Sequence, residues 1–308
     1  MHTAHLCAPV LGSLLVIVAL AVPALSADPV PPDDLEKIRA AAPDKAPAKP
    51  AKPRHVLVYT ACKGFVHKAI PYGTAMLEAL AKKTGAFDVV VSDDPAVFKP
   101  ESLAKFDAVC FNNTTGELFE DDASKQALLE FVKSGKGIIG IHAATDCFYK
   151  WPEFGELMGG YFDGHPWNEN VGVKLDDPNS PINAAFGGHP FEIADEIYQL
   201  KAPYSREKLH ILLSLDTAKT DMTKEGIKRT DKDFAVSWVR TYGRGRVFYC
   251  SLGHRDDIFW NPAVQGHYLA GIQFALGDLP ADATPSVQPR WTELLNGKDL
   301  TGWTCTSG

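Results

Sequence analysis

The sequence predicts an α/β protein in which a largely parallel sheet is covered by helices on both faces. Between His55 and Gly277, short apolar segments of strand length alternate with segments that have helical spacing. Strands separated by helices in this way are typical of parallel sheets that are buried on both sides. A hairpin pattern late in this region adds antiparallel strands, so the sheet is expected to be mixed.

The predicted elements follow one another along the chain. Strands are expected at 55–61, 87–94, 106–114, 137–143, 170–177, 196–204 and 208–215. Helices are expected at 72–85 and 122–135, because a glycine ends each apolar helical pattern. The hairpin over 234–254 turns at 243–245, and a last helix over 261–277 begins near an Asn-Pro pair and ends at a glycine.

The two ends of the chain differ in composition from this region. Residues 1–27 are predicted to be a signal peptide, with a retained anchor as the alternative, because an apolar run ends in small residues that suit a signal peptidase. Segments 28–53 and 279–289 are rich in Pro and Ala and have few large apolar side chains, so both are predicted to be linkers, the first disordered. They delimit a domain over 54–278 and a fragment over 290–308.

Composition excludes several classes of protein. The 308-residue chain has a formal net charge of -7 and no basic stripe, which argues against a nucleic-acid partner. The cysteines that follow the leader are odd in number and lack CxxC spacing, so they predict neither a disulfide framework nor a zinc ribbon.

Polar side chains follow four of the predicted strands. In open α/β sheets, ligands bind at the carboxyl ends of the strands. The candidates are His67 after the first strand, Asn112 and Thr114 at the third, His142 and Asp146 after the fourth, and His254, Arg255 and Asp256 after the hairpin. Each also has a structural interpretation as a loop, turn or capping residue. Convergence of independent loops on one sheet edge favours the functional interpretation for His142 and His254.

A divalent metal such as zinc is one hypothesis for these histidines. Neutral imidazole binds such metals, and a carboxylate from Asp146, Asp256 or Glu196 would complete the site. No HExxH or HxH spacing is present to support it. The candidate ligands are His67, His142, His165 and His254.

Two further segments supply candidates for substrate binding. Asp195 and Glu196 are predicted at the start of a strand, where adjacent residues face opposite sides, and Glu196 together with Tyr198 is the favoured pair. His165 and Trp167 lie in an aromatic, glycine-rich segment that forms either a sugar-stacking platform or part of an ordinary core.

Several motifs resemble the ThuA-like (trehalose-utilisation) family between His55 and Gly277. They are "FVHKAI", "NNTTGE", "FVKSGKGIIGIHAATD", "WPEFGELMGGYFDGHP", "DEIYQL" and "WVRTYGRGRVFYCSLGHRDD". The resemblance implies the class I glutamine amidotransferase-like fold, a flavodoxin-like three-layer sandwich, and a role in carbohydrate metabolism.

The same resemblance shows what this chain lacks. Class I amidotransferases carry a nucleophilic Cys on the elbow after the strand, and here His142 stands at that position, while His254, Arg255 and Asp256 resemble the triplet that completes the triad. Imidazole is a poor substitute for a thiolate in acyl transfer. Cys147 lies five residues along, so glutamine hydrolysis is not expected.

The segment "WTELLNGKDLTGW" is similar to the start of a 3-keto-disaccharide hydrolase domain, a β-sandwich also described as a 3-keto-glucoside lyase and hydratase. Both resemblances imply carbohydrate catabolism. We therefore expect an exported protein, periplasmic or extracellular, that binds a small carbohydrate and has no stable membrane span once the signal peptide is cleaved.

Two functions fit these expectations. The first is hydrolysis or elimination of a 3-keto-glycoside, with His142 and His254 as acid–base groups or metal ligands, oriented by Asp146 and Asp256. The second is a non-catalytic carbohydrate-binding or accessory module on the same fold. The substrate, the oligomeric state and the choice between the two are not determined by the sequence.

Overall fold

The computed structural model describes residues 29–286, in which the predicted alternation of strands and helices is observed. The helices are α1 (Pro32–Ala41), α2 (Ile70–Thr84), α3 (Pro100–Leu103), α4 (Asp122–Lys133), α5 (Pro152–Met158) and α6 (Pro262–Leu276). The strands are β1 (His55–Tyr59), β2 (Asp88–Ser92), β3 (Ala108–Asn112), β4 (Gly137–Ile141), β5 (Tyr161–Phe162), β6 (Trp167–Leu175), β7 (Phe191–Ile197), β8 (Leu200–Lys201), β9 (His210–Leu215), β10 (Ala235–Tyr242) and β11 (Gly245–Cys250).

Nine strands form one mixed sheet in the order β2-β1-β3-β4-β11-β10-β9-β6-β7. The first five of these are mutually parallel, and the remaining four continue in antiparallel pairs. Strands β9 and β7 consequently run in the same direction as β1, β3, β4 and β11. The carboxyl ends of all six therefore lie at one edge of the sheet.

The helices form a layer on each face of this sheet, which confirms the expected flavodoxin-like three-layer arrangement. Val56 and Val58 of β1 pack in one apolar cluster with α1, α2 and α6, whereas Leu57 and Tyr59 pack in a second with α3, α4 and α5. Alternate residues of one strand thus reach two separate cores.

The first half of β6 extends beyond its neighbour in the sheet. Only Val173, Lys174 and Leu175 of β6 pair with β9, whereas its pairing with β7 runs from Trp167 to Val173. Because β6 is antiparallel to β9, its unpaired half lies toward the edge where the parallel strands end. This overhang carries the end of β7, which includes Glu196, to that edge.

Two sequence predictions about the elements are corrected. The strand expected at 196–204 is β7, which spans Phe191–Ile197, so Asp195 and Glu196 lie at the end of a strand rather than its start. The segment 28–53, expected to be a disordered linker, contains α1, which has a proline at its start, acidic residues in its first turn and a basic residue in its last. Ile38 of α1 is fully buried against the core, and this single anchor gave too weak a hydrophobic pattern to predict a helix.

The second predicted linker packs against the domain over its described part. Leu279 is buried, and the Ser286 amide donates a hydrogen bond of 2.8 Å to the Leu209 carbonyl. The predicted signal peptide and the fragment over 290–308 lie outside the described residues. Among residues 29–286, none of the helices has the length and apolar character needed to cross a membrane.

Candidate functional site

His142 stands on a strained turn directly after β4. Its φ of 46° is in the left-handed region, which non-glycine residues seldom adopt, and it begins a short 3₁₀ turn over His142–Thr145. The turn packs tightly, since a side chain at Gly140 would approach the Met158 sulfur to 2.8 Å. The predicted elbow is therefore present, and it holds a fully buried imidazole.

The hydrogen bonding of His142 determines which nitrogen faces the site. Nδ1 lies 2.6 Å from the Ser251 carbonyl oxygen, and because a carbonyl only accepts, Nδ1 carries the proton. In the neutral ring Nε2 then presents a lone pair; it has no hydrogen-bond partner among the described residues and lies 3.6 Å from Oε1 of Glu196. The Tyr198 ring lies against the imidazole, with 4.4 Å between ring centroids.

His67 and His254 complete a triangle of imidazoles with His142. The three ring centroids are separated by 5.0, 5.4 and 5.3 Å, and each pair meets edge to face. Nδ1 of His67 and Nδ1 of His254 are both buried without a hydrogen-bond partner in the described chain. Burial lowers the pKa of His67 to about 3 and also lowers the pKa of His254, so both rings are held neutral.

Glu196 supplies the fourth member of this group, which we call the His/Glu cluster. Ligand-capable atoms of His67, His142, Glu196 and His254 all lie within 4.8 Å of one another. Burial acts to raise the pKa of Glu196, but its interactions with His142, His254 and His165 outweigh burial and lower it overall. The cluster therefore contains one ionised carboxylate within reach of three imidazole rings.

Asp195 is not one of the four cluster residues and instead anchors the loop that carries His254. Its carboxylate accepts hydrogen bonds from the backbone amides of Gly253 at 2.7 Å and Arg255 at 3.0 Å. Burial is the main cause that raises the pKa of Asp195 to about 6. Gly253 has a φ of 152° and lies close to Ile141, so the loop needs glycine there. Sequence alternation placed Asp195 on the other face but gave no sign of this anchoring role.

Some predicted residues lie beside the cluster rather than in it. His165 is half-exposed, and its Nδ1 lies 3.4 Å from the second carboxylate oxygen of Glu196. Of the four histidines proposed as metal ligands, His165 therefore lies outside the His/Glu cluster, and Glu196 is the fourth member instead. Arg255 is exposed and pairs with Asp257 at 3.1 Å.

Three predicted substrate-binding residues have structural contacts instead. The Asn112 amide donates to the Ile70 carbonyl and the Thr74 hydroxyl, which fixes the first turn of α2. Thr114 is buried and accepts a hydrogen bond from the Cys147 thiol. Trp167 is fully buried with its indole N–H bonded to the Asp221 carbonyl, so the core interpretation of this aromatic residue is correct.

The orienting contacts predicted for Asp146 and Asp256 are also corrected. Asp146 accepts a hydrogen bond of 2.5 Å from Tyr149, while the Ser251 carbonyl orients His142. The carboxylate that faces His254 is Glu196, at 3.4 Å, and Asp256 begins the next 3₁₀ turn. A main-chain carbonyl has no residue-type signal, so the sequence did not reveal the contact from Ser251.

Cys147 is not placed to act as a nucleophile. It is fully buried and donates to Thr114 at 3.2 Å, and burial raises its pKa well above the ordinary value. A buried, protonated thiol is inert in acyl transfer. Cys147 thus lacks the exposure and the thiolate form that an acyl-transfer nucleophile needs.

The donor set of the His/Glu cluster fits a divalent transition metal. Three imidazoles and one carboxylate are ligands that zinc prefers. The buried nitrogens of His67, His142 and His254 have no other partner among the described residues, and a metal would satisfy all three. Tetrahedral zinc places its ligand atoms about 3.4 Å apart, so small rotations of the rings suffice.

Comparison with known proteins agrees with the motifs. The family model described as "ThuA: Trehalose utilisation" matches residues 55–275, most of the chain. The chain belongs to the ThuA family. Membership relates this protein to carbohydrate utilisation, and a comparison with curated protein sequences gave no match.

Solved structures of ThuA-like proteins share the fold. A ThuA-like protein from Bacteroides uniformis is 22% identical, with a TM-score of 0.57 over 75% of this chain and 94% of that one. Another from Parabacteroides merdae is 19% identical, with a TM-score of 0.53 over 75% of this chain and 93% of that one. These similarities support the flavodoxin-like α/β assignment.

Proposed function

We propose that this ThuA-family protein is a metal-dependent enzyme that cleaves a glycoside, with a 3-keto-glycoside as the preferred substrate class. The observation that carries the proposal is the His/Glu cluster, in which His67, His142, Glu196 and His254 direct four ligand-capable atoms at one point. The preference for a keto-sugar rests on the sequence resemblances and on the chemistry that such a cluster supports.

A ketone next to the carbon that loses a proton makes glycoside cleavage feasible at neutral pH. A base removes the proton from the carbon between the ketone and the anomeric carbon. The electron pair then forms a carbon–carbon double bond as the anomeric C–O bond breaks, and the leaving oxygen takes up a proton. Addition of water to the double bond completes a net hydrolysis. A divalent metal held by the cluster would supply the Lewis acid that polarises the ketone oxygen.

His165 is the residue we assign as base. It is half-exposed, in contrast to the buried imidazoles, and its Nδ1 faces Oε2 of Glu196 at 3.4 Å. A proton on Nδ1 shared with that carboxylate leaves Nε2 free to accept a proton from substrate. His142 cannot take this role, because its Nδ1 proton is bound to Ser251 and its Nε2 faces the cluster.

The test is turnover of 3-keto-trehalose and related keto-glycosides by protein that has been stripped with a chelator and reloaded with zinc. We expect cleavage only by the reloaded protein, and none by His142→Ala. His189→Ala is the matched control, because His189 is exposed and precedes β7, at the opposite end of that strand from Glu196. Equal turnover by stripped protein or by His142→Ala would contradict the proposal.

If the reloaded protein turns over none of the keto-glycosides, the proposal that it is a glycoside-cleaving enzyme is wrong. Sugar binding that persists under those conditions would favour the alternative, a carbohydrate-binding accessory module. Export to the periplasm or medium is a separate proposal. Fractionation of the native host, followed by mass spectrometry of the mature N-terminus, tests it.

A further inference from the structure

An open cavity of about 730 Å³ lies directly beside the His/Glu cluster. His254 belongs to both, since it lines the cavity and directs Nδ1 toward Glu196. The volume is within the roughly 300–1,000 Å³ that small-molecule sites occupy. The cavity is therefore continuous with the proposed site and large enough for more than the reacting ring.

One wall of the cavity exposes apolar side chains that the fold leaves uncovered. Phe65 is 65% exposed and Val66 is 60% exposed, both on the loop that leads to His67. Large apolar side chains left in water next to a polar site are typical of surfaces that bind a ligand. The Phe65 ring also contacts the His67 ring edge to face at 4.8 Å, so the wall extends to the cluster.

Trp260 is a second aromatic residue that lines the cavity, and its neighbours hold it in position. The Lys37 ammonium lies 4.8 Å from the centre of the Trp260 ring, and the Tyr72 ring lies 6.1 Å away. Lys37 belongs to α1, so the N-terminal helix supports this wall. A fixed aromatic ring loses little conformational freedom when a ligand packs on it.

The polar lining of the cavity carries balanced charge. Lys68 and Arg255 contribute positive groups, and Asp256 and Asp257 contribute negative ones. Arg255 is already paired with Asp257 at 3.1 Å. An anionic ligand such as a sugar phosphate would meet the two carboxylates, whereas a neutral polyhydroxylated ring can bond to groups of both signs.

We infer that this cavity is a subsite for a second, uncharged sugar ring, whose apolar face packs on Phe65 and Trp260 and whose hydroxyls bond to Lys68 and Asp256. The inference rests on the proposed function, because it assigns the ring that reacts to the His/Glu cluster. It makes the substrate class a neutral disaccharide or longer glycoside rather than a glycoside with a small aglycone.

Binding without turnover tests the subsite independently of catalysis. Zinc-loaded protein is titrated by calorimetry with trehalose, maltose, cellobiose and lactose, which lack the ketone, and with methyl glucosides and glucose 6-phosphate. We expect at least one disaccharide to bind about tenfold more tightly than the methyl glucosides and the phosphate. Phe65→Ala should weaken disaccharide binding by about tenfold and so abolish this advantage. It should leave methyl glucoside binding and zinc content unchanged.

Val91→Ala is the matched control, because Val91 is also an exposed apolar residue, on the edge strand β2. It should bind the disaccharide as the unmodified protein does. Disaccharides no tighter than methyl glucosides, tighter binding of the sugar phosphate, or a Phe65→Ala variant that retains the disaccharide advantage would each overturn the inference. A protein that shows this advantage but fails to cleave any keto-glycoside would disprove the proposed function and leave the subsite standing.

Discussion

Nδ1 of His142 donates a hydrogen bond of 2.6 Å to the carbonyl oxygen of Ser251, and this contact fixes which nitrogen of the ring faces the cluster. Ser251 directly follows β11, which pairs with β4 in the sheet, so the acceptor and the elbow are held by adjacent strands. A ring fixed in this way presents Nε2 as a preformed ligand. A hydrogen bond from the ring nitrogen that does not bind the metal commonly fixes the tautomer of a metal-binding histidine.

Asp195 should position His254 for metal binding. The two oxygens of the Asp195 carboxylate accept hydrogen bonds from the amides of Gly253 and Arg255. Asp195→Asn replaces one oxygen with an NH₂ group, which cannot accept, so the loop over 253–255 should shift. We expect zinc affinity to fall by about 10- to 100-fold, measured by competition with a chromogenic chelator.

Asp163→Asn is the control for Asp195→Asn, since it removes a carboxylate from a surface pair with Lys228. Thermal unfolding should be measured on both variants. A lower melting temperature with an unchanged zinc affinity would show that Asp195 has only a structural role.

Variants of Glu196 and His165 should have different effects, the first on metal binding and the second on proton transfer. Glu196→Gln removes the only carboxylate among the four converging residues, so zinc affinity should fall strongly. His165→Ala should keep one zinc per chain, because His165 is not among the four converging residues, and should lower kcat by about 10²- to 10⁴-fold. Loss of zinc from His165→Ala would make His165 a metal ligand and contradict its assignment as the base.

The sequence predicted the convergence of His67, His142 and His254 because parallel strands end at one edge of a sheet. It did not single out Glu196 among the three carboxylates considered for a metal site, since the overhang of β6 depends on the pairing register with β9 and β7. The backbone conformation around these residues places Glu196 in the His/Glu cluster and His165 outside it. The spacing of residues along the chain carries no information on such distances.

Three other predicted residues make structural contacts that the sequence did not reveal. Asn112, Thr114 and Trp167 lie near the correct edge of the sheet, but their polar atoms are satisfied within the protein. Residue type and position on the sheet do not distinguish a polar group aimed at a ligand from one that bonds to its own backbone. The helix α1 was missed because Ile38 is its one fully buried residue.

Cys147 should be dispensable for activity. Cys147→Ala removes a buried thiol that contacts Thr114, so we expect a loss of about 1 kcal/mol in the free energy of unfolding and unchanged turnover. Activity should also resist iodoacetamide under native conditions, because burial keeps the thiol protonated. Release of ammonia from glutamine that is abolished by alkylation would contradict this expectation and make Cys147 a nucleophile.

Asp107 should make stability depend on pH in the acidic range. It is buried, and although burial acts to raise its pKa, hydrogen bonds from Lys52, the His55 amide and Lys136 lower it to about 2. Because the folded pKa is below the ordinary 3.8, the ionised carboxylate stabilises the fold above that pH by about 2 kcal/mol. This contribution is lost as pH falls from about 4 toward 2.

Urea unfolding of Asp107→Asn tests this dependence. The difference from the unmodified protein should be largest at pH 7 and shrink as pH falls below about 4. Asp88→Asn is the control, since the Asp88 side chain is 76% exposed and should change stability little. A difference that stays constant across this range would exclude Asp107 as the source.

The proposed function requires that His67, His142, Glu196 and His254 hold one metal ion. A crystal structure of the zinc-reloaded protein, with anomalous data at the zinc edge, tests this directly. We expect a single fully occupied zinc, with bonds of about 2.0–2.2 Å from Nδ1 of His67, Nε2 of His142, Nδ1 of His254 and a carboxylate oxygen of Glu196. Zinc bound elsewhere, or a cluster without zinc in protein that has been reloaded with an excess of the metal, would contradict it.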